Sequence, residues 1–213
     1  MKVTVLDYGV GNLLSVRRAL EASGADVVCS GAPEDVLRAE RLVVPGVGAF
    51  GSCMQALEYR SLLEPLKTYL ETERPLLGIC VGMQMLMESS SEFGDHPGLG
   101  VMPGLVDRIP ETGSNDKRHK VPHIGWAPIR PRDNDASAWH GTFLADTAPG
   151  QYVYFVHSFA AKPDSPDHLL ACTDYNGRAL AAVIGQDAVV GCQFHPEKSG
   201  PMGLKILSGF LSI

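Results

Sequence analysis

Cys80 lies on a glycine-flanked turn inside an apolar stretch. The segment Pro75–Met87 reads PLLGICVGMQMLM, which predicts a strand over Leu76–Ile79, a sharp turn at the cysteine and an apolar helix after it. Glycine is needed on both sides of such a turn because a Cβ there would collide with the strand or the helix. The turn would place the sulfur at a helix N-terminus and would make the backbone N–H of Val81 an oxyanion donor. The pattern indicates a nucleophilic cysteine; the alternative is a buried structural cysteine.

His195 is the best placed of the seven histidines to act as a base for that thiol. A cysteine with a pKa of about 8.5 is weakly ionised at neutral pH and needs such a partner. His195 ends the apolar run AVVGCQF and is followed by Pro196 and Glu197, so its ring could face the turn while Glu197 fixes its tautomer. His123 and His157 lie beside apolar runs and are expected in the core or at its rim.

A glycine-rich loop follows another apolar run, in Arg41–Gly51 (RLVVPGVGAFG). Gly46, Gly48 and Gly51 match the G-x-G-x-x-G fingerprint of dinucleotide-binding proteins, although Pro45 separates the strand from the first glycine. Two interpretations stay open: a nicotinamide or flavin oxidoreductase, or a loop that donates backbone N–H groups to an oxyanion opposite the cysteine.

Composition excludes several classes of protein. The 213 residues carry 18 Lys+Arg against 24 Asp+Glu, a net charge of −6, and contain no basic block, so we expect no nucleic-acid partner. Five scattered cysteines without a C-x-x-C pair predict neither a disulfide framework nor a cysteine zinc site. The H-x-E at 195–197 lacks the P-C-x-x-C of zinc deaminases, so no metal is expected. Without a signal-peptide pattern or a membrane-length apolar run, we expect a soluble, cytoplasmic protein.

Strands and helices alternate along the first half of the chain, and closely spaced strands dominate the second. This order predicts an α/β fold whose mostly parallel central sheet is flanked by helices, in a single domain over 1–213. The polar segment Pro110–Lys120 is expected to be an exposed loop. The predicted strands are Lys2–Leu6, Asp26–Cys29, Arg41–Val44, Leu76–Ile79, 105–109, 152–156, 168–173, 179–184 and 188–193, and the clearest helices are Asn12–Ser23 and Met202–Leu211.

Six sequence blocks resemble one enzyme family. GICVGMQ around Cys80, PGVGAF at 45–50 and QFHPEKS at 193–199 resemble the class I (triad) glutamine amidotransferases. YGVGN at 8–12, KVPHIGW at 120–126 and YFVHSF at 154–159 resemble, more narrowly, the glutaminase subunits of imidazole glycerol phosphate synthase in histidine biosynthesis. The resemblance implies a flavodoxin-like α/β fold with a nucleophile elbow, one class I amidotransferase domain over 1–213, and no cofactor.

The resemblance also implies a role for each matching residue. Cys80 would attack the glutamine amide, His195 would carry the proton to ammonia, Glu197 would orient His195, and Val47 and Val81 would hold the oxyanion. The glutamine-binding positions would be Gly48, Gln84, Glu92, His157, Ser158 and Phe159. The ammonia would go to a (β/α)8-barrel synthase subunit in a heterodimer whose interface includes Asn12, Arg18, Trp126, Tyr154 and Lys198.

The glycine loop is expected to change conformation at Gly46–Gly48, so that glutaminase activity is low until the partner's substrate binds. The nearest alternative is the glutaminase of another class I amidotransferase, such as the anthranilate synthase or pyridoxal phosphate synthase partner. The alternatives of a different class are the dinucleotide-dependent oxidoreductase and a binding module without chemistry.

Overall fold

The computed structural model describes residues 1–213, apart from the side chain of residue 136. The helices are α1 (Leu13–Ala22), α2 (Pro33–Arg38), α3 (Phe50–Tyr59), α4 (Leu63–Leu70), α5 (Val81–Gln84) and α6 (Gly200–Ser212). The strands are β1 (Lys2–Leu6), β2 (Asp26–Ser30), β3 (Leu42–Gly46), β4 (Leu76–Cys80), β5 (Met87–Ser90), β6 (His96–Pro97), β7 (Met102–Arg108), β8 (His123–Pro131), β9 (Tyr152–His157), β10 (Phe159–Pro163), β11 (Leu169–Tyr175), β12 (Arg178–Gln186) and β13 (Val189–Cys192).

A nine-stranded sheet runs through the molecule in the order β2-β1-β3-β4-β13-β12-β11-β8-β9. The strands from β2 to β13 are parallel, as the alternating first half of the sequence predicts. The strands from β12 to β9 are antiparallel, so the sheet is mixed rather than mostly parallel. The physical reason is the length of the connections, since two-residue turns join β11 to β12 and β12 to β13 whereas a parallel pair needs a crossover of a dozen residues or more. The predicted α/β class with a helix-flanked central sheet is confirmed.

A second sheet of four short strands, β10-β7-β5-β6, lies beside the first. It forms where the sequence predicts a longer helix: α5 ends at Gln84, and Met87 already belongs to β5. The backbone N–H groups of Leu99 and Val101 donate to the carbonyls of Met85 and Leu86, at 2.8 and 3.0 Å. Those carbonyls would otherwise accept the next helical bonds, so a tertiary contact ends the helix after one turn. Met83, Met85 and Met87 are buried.

The hydrophobic core extends from Val3 on the first strand to Leu211 on the last helix. Helix α1 begins where Asn12 accepts a hydrogen bond from the N–H of Ser15, and its apolar residues Val16 and Leu20 are buried. The segment 110–120 is mostly exposed, as predicted. Within the described residues, no helix has the length and apolar character required to cross a bilayer.

Candidate active site

The turn at Cys80 joins β4 directly to α5. Cys80 has φ 56° and ψ −110°, a strained conformation for a residue with a side chain. The neighbouring backbone is so crowded that a Cβ on Gly82 would lie 1.9 Å from the carbonyl oxygen of Val44 on β3. A Cβ on Gly78 would lie 2.6 Å from the carbonyl oxygen of Gly82. Both flanking glycines are therefore required by contact with backbone, as the sequence pattern predicts for an elbow.

His195 and Glu197 form a buried pair beside the elbow. Nδ1 of His195 lies 2.8 Å from Oε1 of Glu197, and the two side chains are only 4% and 2% exposed. Because the carboxylate accepts at Nδ1, the other ring nitrogen, Nε2, is the one that faces the site. Burial alone would lower the pKa of His195, but its interactions with Cys80 and Glu197 outweigh burial and raise the pKa to about 9. The imidazole is therefore protonated at neutral pH and can pair with a thiolate.

A cavity of about 290 Å³ opens above the cysteine. Its volume is near the lower end of the range for small-ligand sites, which suits a single amino acid. Ten of its twelve lining residues are ones to which the family resemblance assigns a role: Val47, Gly48, Cys80, Val81, Gln84, Glu92, His157, Ser158, Phe159 and His195; the other two are Pro122 and Val156. Glu197, buried behind the His195 ring, does not line it.

A buried pair of histidines supports one wall of this cavity. Nδ1 of His157 lies 2.8 Å from the carbonyl oxygen of Phe159, and Nε2 of His157 lies 3.2 Å from Nδ1 of His123. Because a carbonyl can only accept, His157 carries its proton on Nδ1, and His123 donates to its Nε2. The predicted core placement of both rings is confirmed. Burial lowers the pKa of His123 to about 4 and that of His157 to about 3, so both rings are neutral.

The glycine-rich loop lies opposite the elbow. Gly46 ends β3 and is in register with Cys80, and the hydroxyl of Tyr8 holds the end of this strand by donating to the carbonyl of Pro45 at 2.7 Å. Val47 is 43% exposed, and the left-handed conformation of Gly48 (φ 90°) returns the chain toward α3. Gly51 belongs to α3 itself, where a Cβ would lie 2.7 Å from the imidazole of His96. The third glycine is thus a packing requirement of that helix.

Glu92 connects the loop to the cavity. Its Oε2 accepts the backbone N–H of Phe50, the first residue of α3, at 2.6 Å.

Among the described residues, no cluster of three or more His, Cys, Asp or Glu side chains has the arrangement of a metal site.

Comparisons with known proteins agree with this geometry. The family model "Glutamine amidotransferase class-I" matches residues 4–212. The imidazole glycerol phosphate synthase subunit HisH 1 of Legionella pneumophila (strain Lens) is 47% identical to this chain over 211 residues, which cover 99% of each chain. The subunit HisH of Geobacter metallireducens is 44% identical over 210 residues, covering 98% of this chain and 96% of that protein.

The chain belongs to the class I glutamine amidotransferases. Its full-length similarity to these relatives places it, within that family, with the HisH subunits of imidazole glycerol phosphate synthase. A crystal structure of a glutamine amidotransferase superposes with a TM-score of 0.72 at 18% identity, covering 99% of this chain and 97% of that one, and supports the fold alone. The family match favours the amidotransferase interpretation of the glycine loop over a dinucleotide site.

Four of the five residues predicted to contact a partner lie close to the turn that follows His195 in this amidotransferase. Trp126 is 54% exposed, and its ring packs edge-on against that of Tyr154, with 6.1 Å between the ring centroids. Arg18 on α1 lines a surface pocket with Glu197, and Lys198 is the exposed next residue of the turn. Asn12 caps the same helix. The structure thus brings Arg18, Trp126, Tyr154 and Lys198 close to this turn, and places Asn12 at the start of the helix that carries Arg18.

Sequence reasoning missed Gln193. Its side chain is completely buried, and its Nε2 lies 3.7 Å from Sγ of Cys80. Gln193 precedes His195 by two residues, and alternate residues of an extended strand point to the same side. The motif QFHPE contains this spacing, so the sequence alone could have identified Gln193 as a neighbour of Cys80.

Proposed function

We propose that this chain is the glutaminase subunit of imidazole glycerol phosphate synthase, in which Cys80, His195 and Glu197 hydrolyse glutamine and release ammonia for histidine biosynthesis. The observation that carries the proposal is a cysteine on a strained elbow, facing a buried histidine–glutamate pair, at the floor of a cavity that suits one amino acid. The full-length similarity to the HisH subunits supports this particular synthase over other class I amidotransferases.

Acylation begins with Cys80 as a thiolate and His195 as an imidazolium. Sγ attacks Cδ of the glutamine side chain, and the carbonyl electron pair moves to oxygen, where the N–H groups of Val81 and Val47 hold the oxyanion. As the carbonyl re-forms, the C–N bond breaks and His195 gives its Nε2 proton to the leaving nitrogen. The products are ammonia and a glutamyl thioester on Cys80.

Deacylation uses the now neutral His195 as the base. It takes a proton from water, the resulting hydroxide forms a bond to Cδ, and the C–S bond breaks with its electron pair on sulfur. Glutamate leaves, and the thiolate and imidazolium are restored. Glu197 accepts the hydrogen bond from Nδ1 throughout and stabilises the imidazolium.

Glutamine is held by the cavity walls in this proposal. Gln84 uses both Nε2 hydrogens, on Phe159 and on Gln193, so its Oε1 is the atom left to accept from the substrate. Glu92 uses one carboxylate oxygen on Phe50, which leaves the other for the substrate's ammonium group. The remaining binding positions are Gly48 and the backbone of 157–159, all on the cavity wall.

The proposed partner is a (β/α)8-barrel synthase subunit that consumes the ammonia, in a heterodimer. Ammonia released into water becomes protonated and is no longer a nucleophile, so the two sites must be joined without solvent between them. Asn12, Arg18, Trp126, Tyr154 and Lys198 would form part of the interface. The grouping of Arg18, Trp126, Tyr154 and Lys198 close to the catalytic histidine supports this assignment, because ammonia is released there.

The loop at Gly46–Gly48 is the proposed gate. The Val47 side chain is exposed, and the Val47 carbonyl accepts one hydrogen bond, from Sγ of Cys53 at 3.5 Å. Rotating this peptide would therefore disrupt little packing. The rotation would make or remove the Val47 donor of the oxyanion hole. We therefore expect low glutaminase activity in the isolated subunit.

The test is glutamate release from glutamine, measured for the isolated chain, with the barrel synthase, and with the synthase and its nucleotide substrate. Wild type should be stimulated by the partner, and Cys80→Ala should release no glutamate under any condition. Cys172→Ala is the matched control because Cys172 is equally buried but lies on β11. Stimulated release that survives in Cys80→Ala, or full turnover without the partner, would contradict the proposal.

A further inference from the structure

We infer that Gln193 is a further catalytic residue of the glutaminase, whose side-chain amide donates a hydrogen bond to Sγ of Cys80 and stabilises the thiolate. This inference rests on the proposed function. It concerns a residue on the same extended segment as the base, directly beside the reacting sulfur.

The backbone fixes where Gln193 can point. Its N–H donates to the carbonyl of Ala182 on β12 at 2.9 Å, and the N–H of His195 donates to that of Tyr154 at 2.9 Å. These bonds extend the segment beyond the end of β13, so Gln193 and His195 face the same side while Phe194 between them points into the core. The alternation that brings the base to Cys80 brings the amide there as well.

A chain of hydrogen bonds fixes which end of the amide meets the sulfur. The carbonyl of Phe159 can only accept, so Gln84 must present its Nε2 to it, at 2.9 Å. The same Nε2 lies 3.0 Å from Gln193, which must therefore present its Oε1. Only the NH₂ end of Gln193 remains for Cys80, and it lies 3.7 Å from Sγ. The carbonyl at the start of this chain is also held by His157.

The short helix makes this donor more important. The sequence predicts a helix dipole behind the thiolate, but α5 has only four residues, and a dipole sums over aligned peptides. A buried amide oriented by its neighbours supplies a fixed partial positive charge instead. It acts twice per turnover: before Sγ attacks Cδ, and when the C–S bond of the thioester breaks and the electron pair returns to sulfur.

The test compares wild type with Gln193→Met, which keeps the length of the side chain and removes the donor. The first readout is the alkylation rate of Cys80 by iodoacetamide as a function of pH, followed by mass spectrometry of the peptide that contains it. The second is partner-stimulated glutaminase turnover. We expect alkylation at pH 7 and kcat to fall roughly tenfold, the weak end of what a hydrogen bond to a charged group contributes at this long distance. The alkylation profile should move to higher pH, and KM should change little.

Thr173→Val is the matched control: it also removes a fully buried polar group from the large sheet, on β11, and it should behave like wild type in both assays. If Gln193→Met does not fold, as judged by its circular dichroism and melting, Gln193→Asn decides the matter, because it keeps an amide but withdraws it from Sγ by one methylene. A Gln193 variant that folds and matches wild type in alkylation and kcat overturns the inference. Cys80→Ala separates the two proposals: glutamate release that survives in it overturns the proposed function itself, whatever Gln193 does.

Discussion

The buried pair His123 and His157 should make the stability of this amidotransferase fall sharply below neutral pH. Both rings are neutral in the folded protein, with pKa values lowered by burial to about 4 and about 3. In the unfolded chain their pKa is about 6.5. Between these values the unfolded state binds protons that the folded state cannot bind. The stability that the two neutral rings contribute is therefore fully present above pH 6.5 and is lost as the pH falls toward their folded pKa values.

The size of the effect follows from the pKa of His123. At pH 5 the unfolded chain is favoured by a factor of roughly 30 through protonation of this one ring, which is about 2 kcal/mol. His157 contributes about the same amount at pH 5, since its folded pKa is lower still. Together the two rings should therefore lower the free energy of unfolding by about 4 kcal/mol between pH 7.5 and pH 5, which is large against the stability of a typical domain; His195, whose folded pKa is raised, acts in the opposite direction.

The assay is urea unfolding of wild type and His123→Phe at both pH values, followed by circular dichroism. Phenylalanine fits the site because the His123 ring already stacks on Phe155, with 4.9 Å between ring centroids. The variant should lose about 2 kcal/mol of the pH dependence, and comparing the two proteins at each pH cancels the other titrating groups. The exposed His140, replaced by alanine, provides the control with an unchanged pH dependence. If His123→Phe kept the full pH dependence of wild type, the assignment to this pair would be wrong.

Two further predictions concern the elbow. Gly82→Ala should destabilise the protein by about 3 kcal/mol, because the new Cβ would overlap the Val44 carbonyl. Scanning calorimetry should show a melting temperature lowered by roughly 10 °C. A melting temperature within ~2 °C of wild type would contradict this prediction. Cys80→Ser should lower the pKa of His195, because the interaction of the ring with the sulfur is one of the causes that raise this pKa above its ordinary value. An NMR titration of the His195 ring measures the change. An unchanged pKa would show that Glu197 alone raises it.

The sequence predicts the site better than the sheet because the elbow is a local device. Gly78, Cys80 and Gly82 are specified by contacts within one strand, one turn and the adjacent β3, so their spacing alone indicates the geometry. The lining of the cavity follows from motifs in the same way. The roles of these residues in catalysis stay predictions that the assays above address.

The antiparallel half of the sheet could have been predicted from one dipeptide. Asn176 and Gly177 both have positive φ, 54° and 80°, and form the two-residue turn between β11 and β12. An Asn-Gly pair between two apolar runs is a strong hairpin signal, and a hairpin is antiparallel. The end of α5 at Gln84 had no such local signal, because residues 98–102 terminate the helix from a distance in sequence.

Hydrogen bonds join the strand that carries Tyr154 of the proposed interface to the segment that carries His195, the proposed base, which has a consequence for how a partner could act. The carbonyl of Tyr154 accepts from the N–H of His195, the N–H of Tyr154 donates to Oγ of Ser199 at 3.0 Å, and that hydroxyl donates to the carbonyl of His195 at 2.7 Å. Tyr154 therefore cannot shift without carrying the backbone of the base with it. A partner that packs on Trp126 and Tyr154 would hold His195 and its carboxylate fixed, while the loop around Val47, which has few contacts, stays free to rotate. In the proposed complex, activation would therefore come from completing the oxyanion hole and not from repositioning the histidine.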